Sequence, residues 1–280
     1  MKLAILIVAH KDANLLNRLV VHLAEDFDVF VHIDKRSDVA LEENERVTVL
    51  REYAVDWGHI NLILAMLALL RSAHTRGYDR YLIISGQDIP LKSNAQITEF
   101  FADNTIEYVD FRRLPCDGWP DEGTLDRVTL YWPDSFGKNK LARLYQAVKR
   151  HLMNALLGRR PIDYEFHGGA VWVNLSGVCV SKLFNYLDNN PHYIERFRFT
   201  ALADEIFFQT ALHQLGDLTI VSDCLRYIDW TAGGNHPKIL VMDDLLKLES
   251  STALFARKFD SMVDEQIVHA VYEKLAENHG

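Results

Sequence analysis

The sequence predicts an α/β protein with a mostly parallel central sheet flanked by helices. Three observations carry this expectation. Leu3–Val8, "DVFVHID" and "RYLIIS" are short apolar runs rich in β-branched residues, as strands buried on both faces are. Between them lie stretches whose apolar residues recur at helical spacing, the alternation of a parallel sheet with covering helices. The runs also end on polar residues, His10, Asp34 and Asp88, at the carboxyl edge where such sheets bind ligands.

Taken in order, Leu3–Val8 is the first strand, closed by His10-Lys11-Asp12. "ANLLNRLVVHLA" then places Leu15, Leu16, Leu19, Val20 and Leu23 on one helical face. "DVFVHID" and "RVTVL" are the next strands, and "NLILAMLALLRSAHTR" is a long helix stopped by Gly77. "RYLIIS" follows and runs into Gly86-Gln87-Asp88. Beyond residue 105 the pattern loosens. "EYVDFRRL", "RVTLYW", "GAVWVNLS" and "LTIVSDCLRYIDW" read as strands, and "SGVCVSKLFNYLDNN", "ADEIFFQTALHQLG" and the tail from Val263 as helices. No repeat, low-complexity segment or linker divides the chain, so a single domain spanning 1–280 is expected.

Composition narrows the function. With 30 Lys and Arg against 39 Asp and Glu the net charge is −9, which argues against nucleic acid as a partner. The three cysteines form no CxxC pair and suit a reducing compartment. The N-terminal apolar run is short for a signal peptide, and no stretch approaches the ~20 apolar residues of a membrane span. A cytoplasmic protein is expected. One segment departs from the acidic background: Lys138–Arg160 carries seven Lys and Arg and no acid, with Leu141, Leu144, Tyr145, Val148, Leu152, Ala155 and Leu156 in one stripe. Such a helix either packs its stripe on the core, the commoner outcome, or lies on an anionic membrane or acidic acceptor.

Taken singly, each polar candidate has a plain structural alternative. Asp34 can hold a ribose hydroxyl or merely end a strand, and Asp88 can hold a metal, a sugar or nothing. Asp26-Phe27-Asp28 has the form of a metal-binding DxD but precedes its strand and reads as a surface turn. His10 and His32 lack metal-ligand spacing. Glu205 stands near the start of an apolar helix, where the helix dipole tolerates a carboxylate. Trp57-Gly58, and Trp172 after Gly168-Gly169, are either sugar platforms beside glycines that admit a ligand or ordinary core aromatics. Arg257 and Lys258, adjacent cations between Phe255 and Phe259, need an anionic partner if the apolar flanks bury them.

The ordered set "LIVAHK", "VFVHIDKRS", "DWGHINLILAMLALL", "YLIISGQDIPLKS", "GGAVWVNLS", "ADEIFFQTAL", "LRYIDW" and "LFARKFD" resembles the core-2/I-branching β-1,6-N-acetylglucosaminyltransferase family, which includes the peptide O-xylosyltransferases. The resemblance implies a GT-A-type glycosyltransferase fold with a nucleotide-binding half, 1–105, and an acceptor-binding and catalytic half, 106–280. It implies transfer of a sugar, GlcNAc or xylose, from a UDP-sugar to an acceptor hydroxyl with inversion, and no metal or other cofactor. By that resemblance Arg257 and Lys258 replace the metal at the diphosphate, and Val8, His10, Asp34 and Arg36 meet the nucleotide. Glu205 is the general base, and Trp57, Gly58, Asp88 and Trp172 contact donor or acceptor sugar. A preorganised Arg/Lys pair stabilises the charge developing on a departing diphosphate. One carboxylate suffices as base, because that leaving group needs no proton donor, whereas glycosidases usually need two acids.

Two departures from the family pattern bear on biology. Its Trp-Gly-Gly reads Trp57-Gly58-His59, and its animal members' stem and disulfides have no counterpart. A bacterial-type minimal form is therefore expected, at the inner face of a membrane, with a polysaccharide or lipid-linked saccharide as acceptor. The alternatives are a non-catalytic family member that binds a glycan or nucleotide, and a hydrolase.

Overall fold

Of the four strands near the N-terminus, the first, second and fourth are largely buried along their length because both of their faces are covered, and the third is only partly buried. The four are β1 (Leu3–Ala9), β2 (Asp28–Ile33), β3 (Val47–Leu50) and β4 (Arg80–Ser85), in a computed structural model that describes residues 1–117, 125–133, 140–233 and 236–277. Their order is β3-β2-β1-β4, with every neighbouring pair parallel. Ala4–Ile7, Val29–Val31 and Leu82–Ile84 have no solvent exposure. The first helix, Ala13–Ala24, starts where Asp12 accepts the Leu15 N–H at 3.1 Å, and it buries the five residues its spacing singles out. The predicted fold class holds: helices and a largely parallel sheet alternate.

The chain forms two units, one of residues 1–52, 69–105 and 223–280, the other of 53–68 and 106–222. Residues 53–68 belong to the second unit, and the C-terminal segment joins the first. Backbone pairing explains this. Phe255–Arg257 runs parallel to Arg226–Ile228 and antiparallel to Ile89–Pro90. Phe259 and the helix Glu265–Glu277 then share one apolar cluster with Leu15, Ile89 and Leu240.

In the second unit, Glu107–Val109 pairs antiparallel with Val173–Ser176 and parallel with Ile220–Val221. Ser176 caps the helix Gly177–Asn189 through the Cys179 N–H at 3.1 Å. "RVTLYW" is not a strand. Asp126–Thr129 is a short helical turn, with the Thr129 hydroxyl donating back to Leu125 O at 3.0 Å, and Arg127 buried within it. The basic segment is helical over Lys140–Leu157, and none of its residues is buried. Core packing is therefore not the fate of its stripe: Leu141 is 79 % exposed and Leu156 83 %. Lys138, where the stretch begins, lies outside the described residues. Among the described residues, no helix is long and apolar enough to cross a membrane.

Candidate active site

In the first unit the two most specific motifs, "SGQDIPLKS" and "FARKFD", meet. Gln87 Nε2 donates to Phe259 O at 2.9 Å, and the Phe259 N–H donates to Gln87 O at 2.9 Å. The end of β1 is tied to the same segment. Lys11 Nζ lies 2.5 Å from Asp260 Oδ2, and Asp12 accepts from the Ser261 N–H at 2.8 Å and its hydroxyl at 2.6 Å.

Asp88 answers the question the buried cations raise. Its carboxylate is fully buried, 3.6 Å from Arg257 Nε and 3.7 Å from Arg226 Nε, and it accepts the Ser85 N–H at 3.2 Å. A sugar contact at Asp88 is thus not what the structure contains: the carboxylate has no exposed surface and organises two arginines instead. Burial works against charge on all three, raising the carboxyl and lowering both guanidinium pKa values, while their mutual attraction acts the other way.

Two carboxylates, Asp88 and Asp260, face the cations gathered here. Burial, then the charges of Arg257 and Lys11, pull Lys258 below the ordinary lysine range, against Asp260 and Asp88. His236 is lowered by desolvation and by Lys258 and Arg257, and His10 by desolvation and by Lys11 and Lys258, against Asp34. Cations that depress one another's pKa values mark a place where an anion is favoured. Lys11, Arg226 and His236 are members of this cluster that sequence reading missed, since they stand in the quoted motifs or near them without a pattern of their own.

The other nucleotide candidates sit on the first strands. Val8 is partly buried in β1, paired with His32 and Ser85. Asp34, 5 % exposed, follows β2 and turns its carboxylate onto Arg36, taking the backbone N–H at 2.8 Å, Nε at 3.2 Å and Nη2 at 3.1 Å.

In the second unit Glu205 does not open a helix. It ends a 3₁₀ turn, Ala203–Glu205, entered through left-handed Leu202, and the helix proper is Phe207–Leu215. Arg127 Nη1 holds its Oε2 at 2.7 Å; the arginine side chain is 4 % exposed and the glutamate 31 %. The pair joins a fixed cation to a carboxylate that reaches solvent. Beside it Asp204 is buried, and burial together with the Glu205 charge pushes its carboxyl from 3.8 up to about 7.

The glycines before Trp172 serve the backbone. A Cβ on Gly169 would stand 1.8 Å from Asp110 O, and the Gly169 N–H donates to Glu205 O at 2.9 Å. The close approach there is by protein, not ligand. Trp172 is 8 % exposed, so its ring is a core aromatic and not an open platform. Trp57 is 46 % exposed and precedes Gly58, whose φ of 71° suits glycine. Asp26 and Asp28 are engaged structurally, with Asn94 and the Tyr78 hydroxyl. Among the described residues, the grouping with metal-ligand chemistry is Glu165, His167 and His213.

Fold and site define a class: an α/β protein whose parallel sheet carries a cluster of paired cations beside its carboxyl edge, with a salt-bridged, solvent-reaching carboxylate in its second unit. The model of the Core-2/I-Branching enzyme family matches residues 3–248, and the chain belongs to that family. "FARKFD" lies beyond the matched stretch. The chain is 25 % identical to a xylosyltransferase of Ciona intestinalis, over 89 % of this chain and 31 % of that protein. It is 24 % identical to a beta-glucuronosyltransferase of Arabidopsis thaliana, over 94 % of this chain and 61 % of that one. It thus spans about a third and three-fifths of these relatives. A crystal structure of S. aureus TarS 1–349 is similar at a TM-score of 0.38 and 14 % identity, covering 80 % of this chain and 58 % of that one.

Proposed function

We propose that the protein is an inverting glycosyltransferase that moves a sugar from a UDP-sugar to an acceptor hydroxyl without a divalent metal. The observation that carries this reading is the gathering of Lys11, Arg226, Arg257 and Lys258 around the Asp88 and Asp260 carboxylates beside the carboxyl end of β1. A diphosphate is an anion that such a group of cations suits. Glu205 takes the proton of the acceptor hydroxyl, whose oxygen then attacks the anomeric carbon. The bond from that carbon to the diphosphate breaks on the opposite face, which inverts the centre. The charge left on UDP falls to Arg257, Lys258 and Lys11. Asp88 acts by positioning Arg257 and Arg226. His10, Val8, Asp34 and Arg36 adjoin the nucleotide, and Trp57 with Gly58 serves the sugar side. The donor is a UDP-linked GlcNAc or xylose; the names of the relatives add glucuronic acid to the donors to test.

UDP release from a panel of UDP-sugars, with EDTA or added Mn²⁺, tests this. One donor should give EDTA-resistant release, and Glu205→Gln should lower it by roughly 10²–10⁴-fold, the usual worth of a general base. Release that requires metal overturns the role of Arg257 and Lys258. No turnover with any donor and no UDP binding leaves the non-catalytic family member.

The acceptor is a glycan or lipid-linked saccharide of bacterial surface-polysaccharide synthesis, and the enzyme works at the cytoplasmic face of a membrane. Two observations support the setting: no disulfide joins any of the three cysteines, and the exposed stripe of Lys140–Leu157 is flanked by Lys140, Arg143 and Lys149 in an acidic chain. An exposed apolar face with a basic flank suits an anionic lipid surface. Co-sedimentation with phosphatidylglycerol vesicles should be lost when these three residues are neutralised, and unchanged sedimentation would remove the idea.

A further inference from the structure

We propose that Glu165, His167 and His213 form a binding site for one zinc-type divalent ion, separate from the transfer chemistry. The three lie in the second unit and come from different elements. Glu165 precedes the short strand His167–Gly168, which pairs with Arg112–Arg113, and His213 is carried by the helix Phe207–Leu215. Their ligand atoms all lie within 4.8 Å of one another. His213 Nε2 is 3.5 Å from Glu165 Oε1, and His167 Nε2 is 3.9 Å from the same oxygen.

The two carboxylate–imidazole separations are close to what an ion requires, and the imidazoles of His167 and His213 stack with ring centroids 4.2 Å apart. Ligand atoms about 2.0–2.1 Å from a tetrahedral zinc stand roughly 3.3 Å apart. The Glu165 side chain is 40 % exposed and His213 37 %, so both can make the small closing movement, whereas His167 is buried and set.

The surroundings orient the donors. His167 Nδ1 lies 3.1 Å from Glu165 O, a carbonyl that can only accept, so Nδ1 carries the proton and Nε2 presents its lone pair. This backbone partner is the outer contact that metal-binding imidazoles usually make. The Phe111 ring stacks on His167 at 4.5 Å, and Thr210 Oγ1 accepts the His167 N–H at 3.0 Å and donates to His167 O at 3.1 Å. Arg113 Nη2 sits 3.3 Å from Glu165 Oε2, which leaves Oε1 as the oxygen facing both imidazoles. Two imidazoles and one carboxylate select zinc, nickel, cobalt or copper over the oxygen-seeking calcium and magnesium. Water completes the coordination. The bound ion would tie the strand before Gly169 to the helix after Glu205, and so stabilise the folded chain.

The test uses the full chain stripped of metal by chelation, with zinc titrated against a chromogenic competing chelator. One zinc per chain is expected, with a higher thermal midpoint in zinc and no rise in magnesium. His213→Ala and Glu165→Gln, at partly exposed side chains, should each weaken zinc binding at least 10-fold, since losing even an outer partner of a metal ligand costs 10–100-fold. Their metal-free melts should match the wild type, which separates lost binding from lost folding. Glu205→Gln should bind zinc as the wild type does, so failure of the transferase reading and failure of this one are distinguishable. Absence of zinc binding, or equal binding by wild type and both variants, overturns the proposal.

Discussion

Asp204→Asn should stabilise the protein at alkaline pH and remove much of the pH dependence of its stability. Asp204 is 7 % exposed, and its Oδ1 has no hydrogen-bond partner among the described residues. Burial, and after it the charge of Glu205, raise its carboxyl from 3.8 to about 7. The folded chain therefore keeps a proton that the unfolded chain gives up near pH 3.8. The stability linked to that proton is fully present below the lower value and is lost as pH rises through the higher one. At about 1.36 kcal/mol per pH unit, the span from 3.8 to about 7 is worth about 4 kcal/mol. Set against the roughly 5–15 kcal/mol that holds a typical protein folded, this is a large part. Urea unfolding of wild type and variant over pH 4–9 measures it. The stability difference should grow in favour of Asp204→Asn between pH 4 and 7 and level off above 8. A difference that stays constant across the range refutes the reasoning, because the wild-type carboxyl then titrates alike in both states.

Other substitutions probe the remaining features. Asp88→Asn leaves two buried guanidiniums without their carboxylate and should cost about 3–5 kcal/mol in chemical denaturation, with a loss of UDP affinity by calorimetry. Lys258 is pulled below the ordinary lysine range, so it loses its charge sooner as pH rises; UDP binding should weaken with alkaline pH in the wild type and lose that dependence in Lys258→Met. Gly169→Ala places a methyl 1.8 Å from Asp110 O and must displace the backbone that bonds Glu205, so it should lower the thermal midpoint by at least about 1–3 kcal/mol equivalent and depress donor turnover. Turnover equal to wild type in Gly169→Ala would show that the Gly169–Glu205 hydrogen bond does not set the position of Glu205.

Local pattern determined the elements that local physics governs. The β1, β2 and β4 strands and the helix Ala13–Ala24 were legible because burial on two faces demands continuous apolar runs, and burial of one helical face demands a repeat near four. Of the DxD, Asp26 lies in the turn before β2 and Asp28 opens the strand. "RVTLYW" misled because its apolar alternation outweighs a helical turn only four residues long, within which Arg127 is buried. The basic helix was legible as amphipathic, yet amphipathicity says nothing of what covers the apolar face. Asp88 and Glu205 show the limit most clearly. Each could be picked out in the chain, but their environments come from Arg226 and Arg257 in one case and Arg127, 78 residues away, in the other. Glu165, His167 and His213 likewise have no linear spacing that announces them. A side chain's charge, access and partner depend on neighbours brought in by long-range packing, and no periodicity records those. Local pattern is enough for most elements and for naming the reactive groups, whereas burial of Asp88 between two arginines and the access of Glu205 to solvent come from long-range packing.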